Sequence, residues 1–132
     1  MDLFEECLEA LGSSIEIIKN DADQNKIIEK MLSKFPITFY GRINWKNIPK
    51  KCSILSPDKI LSILKKRNAL DNNQIYIIWS DSTVPIVKSS LENVLNNFDD
   101  VEAVSPDTWI YSPSAGWLIE FYHDGDITLG FE

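Results

Sequence analysis

Near the C terminus, Glu120-Phe121-Tyr122-His123 sets a carboxylate and the chain's single imidazole three positions apart. On a helix that spacing puts both groups on one face, where they can share a metal ion; on a strand, positions i and i+3 point to opposite faces. Here the pattern is a strand running into an Asp124-Gly125 turn, so the pair fails as a metal motif. His123 is expected instead to form a surface pair with Asp126 across the turn. Asp124 and Asp126 around Gly125 resemble a fragment of a calcium loop, but the remaining ligands and the distal glutamate are missing. Nucleophilic chemistry is no better supported: Cys7 and Cys52 have no neighbouring base or CxxC spacing, and no G-x-S-x-G elbow, phosphate-binding loop or G-x-G-x-x-G fingerprint occurs. The sequence therefore assigns no metal, no cofactor and no catalytic residue, and it reads as a binding protein rather than an enzyme.

What the residues offer a partner is charge. From Ser89 to Glu132 there is no lysine or arginine, yet nine carboxylates: Glu92, Asp99, Asp100, Glu102, Asp107, Glu120, Asp124, Asp126 and Glu132. The first 88 residues hold all 13 bases against 11 acids, so the net charge of -7 resolves into +2 and -9. A one-signed surface steers ligands of the opposite sign. The basic stretch from Arg42 to Arg67 carries eight bases opposed only by Asp58. It reads as solvated loop and helix faces, because a chain of pI about 4.7 repels a nucleic-acid backbone elsewhere. Such a patch can also complement the acidic third of a second copy, which leaves a homodimer open.

The elements that must position these groups follow from periodicity. The chain has 132 residues, 44% of them hydrophobic. That suits one domain over 1–132, able to bury roughly 65 to 70% of its unfolded surface. No apolar run approaches the ~20 residues of a membrane span, and acids stand where a signal peptide has bases, so a cytosolic protein with no membrane partner is expected. Helices are predicted from Asp2 to Leu11, stopped by Gly12; from about Asp23 to Lys34, stopped by Pro36; after Ser56-Pro57; and from Ser89 or Ser90 to about Phe98. Strands are predicted around Ile15–Ile18, at Phe39–Trp45, at Ser53–Leu55 and at Ile75–Trp79, the last bounded by Asp71-Asn72-Asn73. Three aromatic-rich runs close the chain: Thr108–Ser112, Trp117–His123 and Ile127–Phe131. The expected fold is α+β, about four helices on a mixed, largely antiparallel sheet ending in this three-stranded meander.

A two-residue Asp124-Gly125 loop would set Tyr122 opposite Ile127, Glu120 opposite Leu129 and Leu118 opposite Phe131, while a 113–116 loop sets Trp109 opposite Glu120. One face then carries Tyr111, Trp109, Leu118, Glu120, Tyr122, Ile127, Leu129 and Phe131. Both faces are apolar, so either both are covered or one stays open for a partner. On so apolar a face Glu120 is either hydrogen-bonded, to the Trp109 indole or a tyrosine hydroxyl, or emerges in a partner site.

The opening MDLFEECLEALG, the central FPITFYGRINW and the closing DDVEAVSPDTWIYSPSAGWLIEFYHDGDITLGF resemble the immunity proteins of bacterial contact-dependent growth inhibition systems. The closing block carries most of the resemblance, joining a DDV turn, a TW strand and an EFYHDG hairpin in one order; Lys46–Ser89 is the least distinctive part. The resemblance implies a partner that is the toxic C-terminal domain of a cognate effector, in many such systems a nuclease with a basic substrate groove. On that reading the partner-binding residues are Asp99, Asp100 and Glu102, in the loop after the fourth helix, Asp107 at the next strand, Asp124 and Asp126 at the hairpin turn, and Glu120. Trp109, Tyr111, Tyr122 and Trp117 are candidate aromatic anchors, at least half of them core. Two other readings stand beside it: a nucleic-acid adaptor using residues 42–67, and a small enzyme with Glu120 in a cleft.

Overall fold

In chain order the elements are α1 (Leu3–Leu11), β1 (Glu16–Ile18), α2 (Asp21–Lys34), β2 (Lys51–Ile54), α3 (Ile60–Lys66), β3 (Gln74–Trp79), β4 (Ile86–Ser90), α4 (Leu91–Asn96), α5 (Phe98–Glu102), β5 (Thr108–Ser112), β6 (Trp117–Phe121) and β7 (Ile127–Phe131). The computed structural model describes residues 1–70 and 74–132; the expected turn at Asp71-Asn72-Asn73 lies outside them. Local chemistry sets the helix starts. Asp2 accepts from the Glu5 amide, Asn20 from those of Ala22 and Asp23, and Ser90 from that of Asn93, each satisfying donors that a first helical turn leaves unpaired.

All seven strands join one sheet in the order β1-β4-β3-β5-β6-β7-β2, every pairing antiparallel. The α+β expectation and the closing meander hold, with five helices among the described residues rather than four. Asn97, at φ -125° and ψ 31°, interrupts the fourth predicted helix and starts a fifth, so Asp99, Asp100 and Glu102 lie in α5 and not in a loop. Strand β4 was not expected, because its Ser89-Ser90 end reads as a helix cap; Ser90 serves as both last strand residue and cap. Phe39–Trp45 is not a strand. Gly41 takes φ +87°, a tight turn closes with only Ile37 and Ile43 bridged, and a single 3-10 turn covers Trp45–Asn47.

The β5–β6 register matches expectation, with Trp109 opposite Glu120, but the last hairpin is slipped by one residue. Phe121 faces Ile127, Glu120 faces Thr128 and Ile119 faces Leu129. The loop is five residues long, closed by the Tyr122 amide on the Asp126 carbonyl and the Gly125 amide on the Tyr122 carbonyl. A one-residue slip moves every side chain of a strand to the other face. Ile127, Leu129 and Phe131 therefore join Ile110, Trp117, Ile119 and Phe121, while Thr128 and Gly130 share the face of Glu120.

Both faces are covered. On one, Ile77, Ile110, Trp117 and Ile119 pack against Cys7, Leu11, Ile60, Leu64, Leu91 and Val101 from α1, α3, α4 and α5. On the other, Ile78, Trp109, Tyr111 and Leu118 pack against Met31 of α2, Phe35 and the irregular 37–48 segment through Ile43 and Ile48. The aromatic face is thus core. Of the four tryptophans, Trp79 donates its indole N–H to the Val101 carbonyl at 2.9 Å and Trp117 donates to that of Ala69 at 2.8 Å, so large apolar rings are buried without stranding their polar edge.

Cys7 is wholly inside, and burial, then the Asp100 charge, push its thiol up to about 11 from an ordinary 9.0. A raised pKa of this kind leaves its stabilising contribution complete below pH 9.0 and removes it as pH climbs through about 11. In a thiol-reagent titration of the native protein near neutral pH, half-buried Cys52 should react and Cys7 should remain silent until denaturant is added.

Candidate functional site

Glu120, next to last in β6, has only 1% of its surface exposed and accepts four N–H groups. Its Oε1 receives Arg42 Nε at 3.0 Å and Trp45 Nε1 at 2.9 Å; its Oε2 receives the Ile43 backbone amide at 2.8 Å and Trp109 Nε1 at 3.1 Å. Three of the four donors come from the 42–45 segment, which has no strand to hold it. The carboxylate is the clip that fastens this segment over the second face of the sheet. Glu120 is therefore hydrogen-bonded to the Trp109 indole, as one alternative had it, and lies almost wholly beneath the surface.

Around the clip the chain adds a second layer of contacts. Arg42 also reaches Asp126 Oδ2 at 3.3 Å and lies over the Tyr122 ring, 4.3 Å from its centre. Burial alone would lower the Arg42 pKa; Glu120, then Asp126 and Asp124, outweigh it and hold the guanidinium above its ordinary value. Asp126 is thus engaged by Arg42, and His123 pairs with Asp107 instead. Asp107 Oδ1 takes the His123 amide at 2.7 Å and its Nδ1 at 3.0 Å. The slipped hairpin register is the reason, since it turns His123 toward the start of β5. Gly130 belongs to the same assembly: a Cβ there would collide with the Trp45 ring, so its bare backbone is what lets the indole reach Glu120.

The remaining predicted residues divide by burial. Tyr111 and Trp117 are wholly core, while Trp109 is buried except for an edge on the groove beside α2; Tyr122 is half-buried. Tyr111 has a hydroxyl with no hydrogen-bond partner among the described residues, and burial, then Glu132 and Tyr76, push its pKa up to about 12. Asp99, Asp100, Glu102, Asp124 and Asp126 are exposed and Asp107 is partly so.

These carboxylates share one end of the sheet. Trp79 is paired with Thr108, Thr108 with Phe121, and Phe121 with Ile127, so the 103–107 loop and the 122–126 turn both leave that end. The indole bond from Trp79 to Val101 and the Phe98–Phe121 ring contact, 4.7 Å between centres, set α5 beside it. Phe4 stacks edge-on against Trp79, and Glu6 and Glu9 of α1 border a shallow hollow with Asp100. Charge counting along the chain singles out the C-terminal third and not these α1 acids; only packing joins them to it. Lys50 and Arg67 border the opposite end, beside Glu132. No cluster of His, Cys, Asp and Glu suited to a metal ion occurs among the described residues, and no helix is long and apolar enough to cross a membrane.

The family model described as CdiI immunity protein EcoliA0-like matches residues 1–130. The chain belongs to this immunity family. A comparison with curated proteins gives no match. Membership implies a cognate toxin protein as the partner of this immunity protein, in agreement with the resemblance carried by the closing hairpin.

Removing the clip has a definite cost. Glu120→Ala leaves three N–H groups without an acceptor and the half-buried Arg42 with Asp126 as its remaining carboxylate, and urea unfolding should show a loss of about 3–5 kcal/mol. Glu120→Gln, which keeps one acceptor oxygen but turns an amide donor toward other donors, should fall between the variant and the parent. Gly130→Ala, a substitution that is small by volume, should still cost about 1–3 kcal/mol because the ring it meets is held in place by Glu120.

Proposed function

We propose that this immunity protein neutralises the toxic C-terminal domain of its cognate effector by binding it directly, with the acidic end of the sheet facing a basic surface of the toxin. The observation that supports this reading is the convergence of carboxylates distant in sequence, Glu6 and Glu9 of α1, Asp99, Asp100 and Glu102 of α5, and the Asp107 and 122–126 turns, upon one end of a rigid sheet. Opposite fields raise the association rate, and preorganised charges lose little entropy when they dock. A basic partner surface suits a nuclease, whose substrate groove must attract phosphates, and the carboxylates then stand where phosphates would. The role is stoichiometric binding in the cytosol and not catalysis, without cofactor or direct nucleic-acid contact. A cleft enzyme built on Glu120 loses its basis in a carboxylate that is sealed and saturated with donors.

The test uses acids that do not hold the fold. Asp107 and Asp126 anchor His123 and Arg42 and are left alone. Asp99→Lys, Asp100→Lys and Glu102→Lys together reverse the exposed face of α5. Bases at 99 and 100, in the first turn of that short helix, cost up to about 1 kcal/mol each, so folding is checked by circular dichroism. Co-expression with the effector's C-terminal domain should then be toxic where the parent protects. The association rate should fall about tenfold or more at low salt, with the gap narrowing at high salt. Full protection by a folded triple variant would refute the charge mechanism.

A further inference from the structure

The 37–41 turn carries the most conspicuous apolar exposure on the surface. Phe39 is fully exposed (101%), Tyr40 is 61% exposed and Ile37 43%. The turn is nevertheless firmly built. The Thr38 amide donates to the Arg42 carbonyl at 2.6 Å, the Gly41 amide to the Thr38 carbonyl at 3.0 Å, and Arg42 is held from below by Glu120. Phe39 and Tyr40 stack edge-to-face with ring centres 5.1 Å apart, so the pair is presented as one aromatic knob. Beside it runs a groove of about 660 Å³ between α2 and the sheet, with Ile28, Leu32, Ile78 and Trp109 in its walls and Asp21 and Asp107 also lining it. Tyr40 borders a second hollow whose lining includes Asp126. The groove therefore opens at the same sheet end as the carboxylates, and the cation of the turn, Arg42, is already paired with Glu120 and Asp126.

We propose that Phe39, Tyr40 and this groove form the apolar anchor of the toxin interface, and that the toxin segment seated there carries an apolar side chain flanked by lysine or arginine. The inference rests on the reading that the chain binds its toxin directly, and it adds what charge alone does not supply. Exposed carboxylates speed encounter, whereas a desolvated aromatic contact ringed by polar groups sets the lifetime of a complex. Charge complementarity selects the occupant: an apolar residue fills the groove between α2 and the sheet while its basic neighbours meet Asp21 and Asp107.

Binding kinetics with the purified C-terminal domain of the cognate effector test the proposal, using Phe39→Ser/Tyr40→Ser and Ser82→Trp. Phe39, Tyr40 and Ser82 are exposed, and Ser82 lies on the groove wall, so all variants should melt like the parent. The double variant should bind about 100-fold more weakly and Ser82→Trp about tenfold, both through faster dissociation and to the same extent at low and high salt. Charge reversal on α5 has the opposite signature, a salt-dependent loss of association rate. Parent binding with both variants within about threefold of it would overturn the anchor and leave the direct-binding reading standing. Absence of binding by the parent would overturn both. Unchanged toxin affinity with loss of a dimer in the double variant would assign the knob to a second copy instead.

Discussion

One buried carboxylate organises this molecule. Glu120 sits at the centre of an apolar face and would be costly there if unpaired; four N–H groups, one of them on a guanidinium, satisfy it. Because three of those donors lie within four residues of chain, the pairing does more than neutralise a charge. It lays the 42–45 segment over the sheet, sets the Trp45 ring on the bare backbone of Gly130, and leaves Arg42 to reach Asp126 in the last hairpin. A segment without regular hydrogen bonding thereby becomes a wall of the second core.

That wall is why both faces of the sheet can be apolar. Four short helices cover one face; on the other a single helix, α2, is extended by Phe35, Ile43 and Ile48. With both faces largely covered, the molecule's outward features are left to its edges, its ends and the groove beside α2. The turns at one end carry the carboxylates, and the segment fastened by Glu120 carries Phe39 and Tyr40 to the same place. The interior ion pair and the exposed aromatic knob are thus two consequences of one loop conformation.

How much of this was legible beforehand varied with the range of the interaction. Helices α1 and α2 are visible in their 3.6-residue stripes and their caps, and β3 in a continuous apolar run between turn residues. The 113–116 connection and the Trp109–Glu120 pairing could be counted off the meander. The last hairpin could not, because Asp124-Gly125 suits a two-residue loop locally, while the observed five-residue loop is favoured by burying Ile127 and Leu129 on the opposite face and by the contacts of Asp107 and Asp126. Phe39–Trp45 has strand-like composition, and only the donors converging on Glu120, some 75 positions away, explain why it forms a turn and a clip instead.

By itself the sequence determined the α+β class, the meander, the burial tension at Glu120 and the one-signed character of the last third, since each depends on residue type and short-range spacing. The family resemblance in the closing hairpin belongs with these. Tertiary structure alone decided which carboxylates stand together, that Trp109 and Tyr111 are core, and that Phe39 and Tyr40 face water. Those outcomes depend on register and long-range pairing, where a slip of one residue exchanges inside for outside.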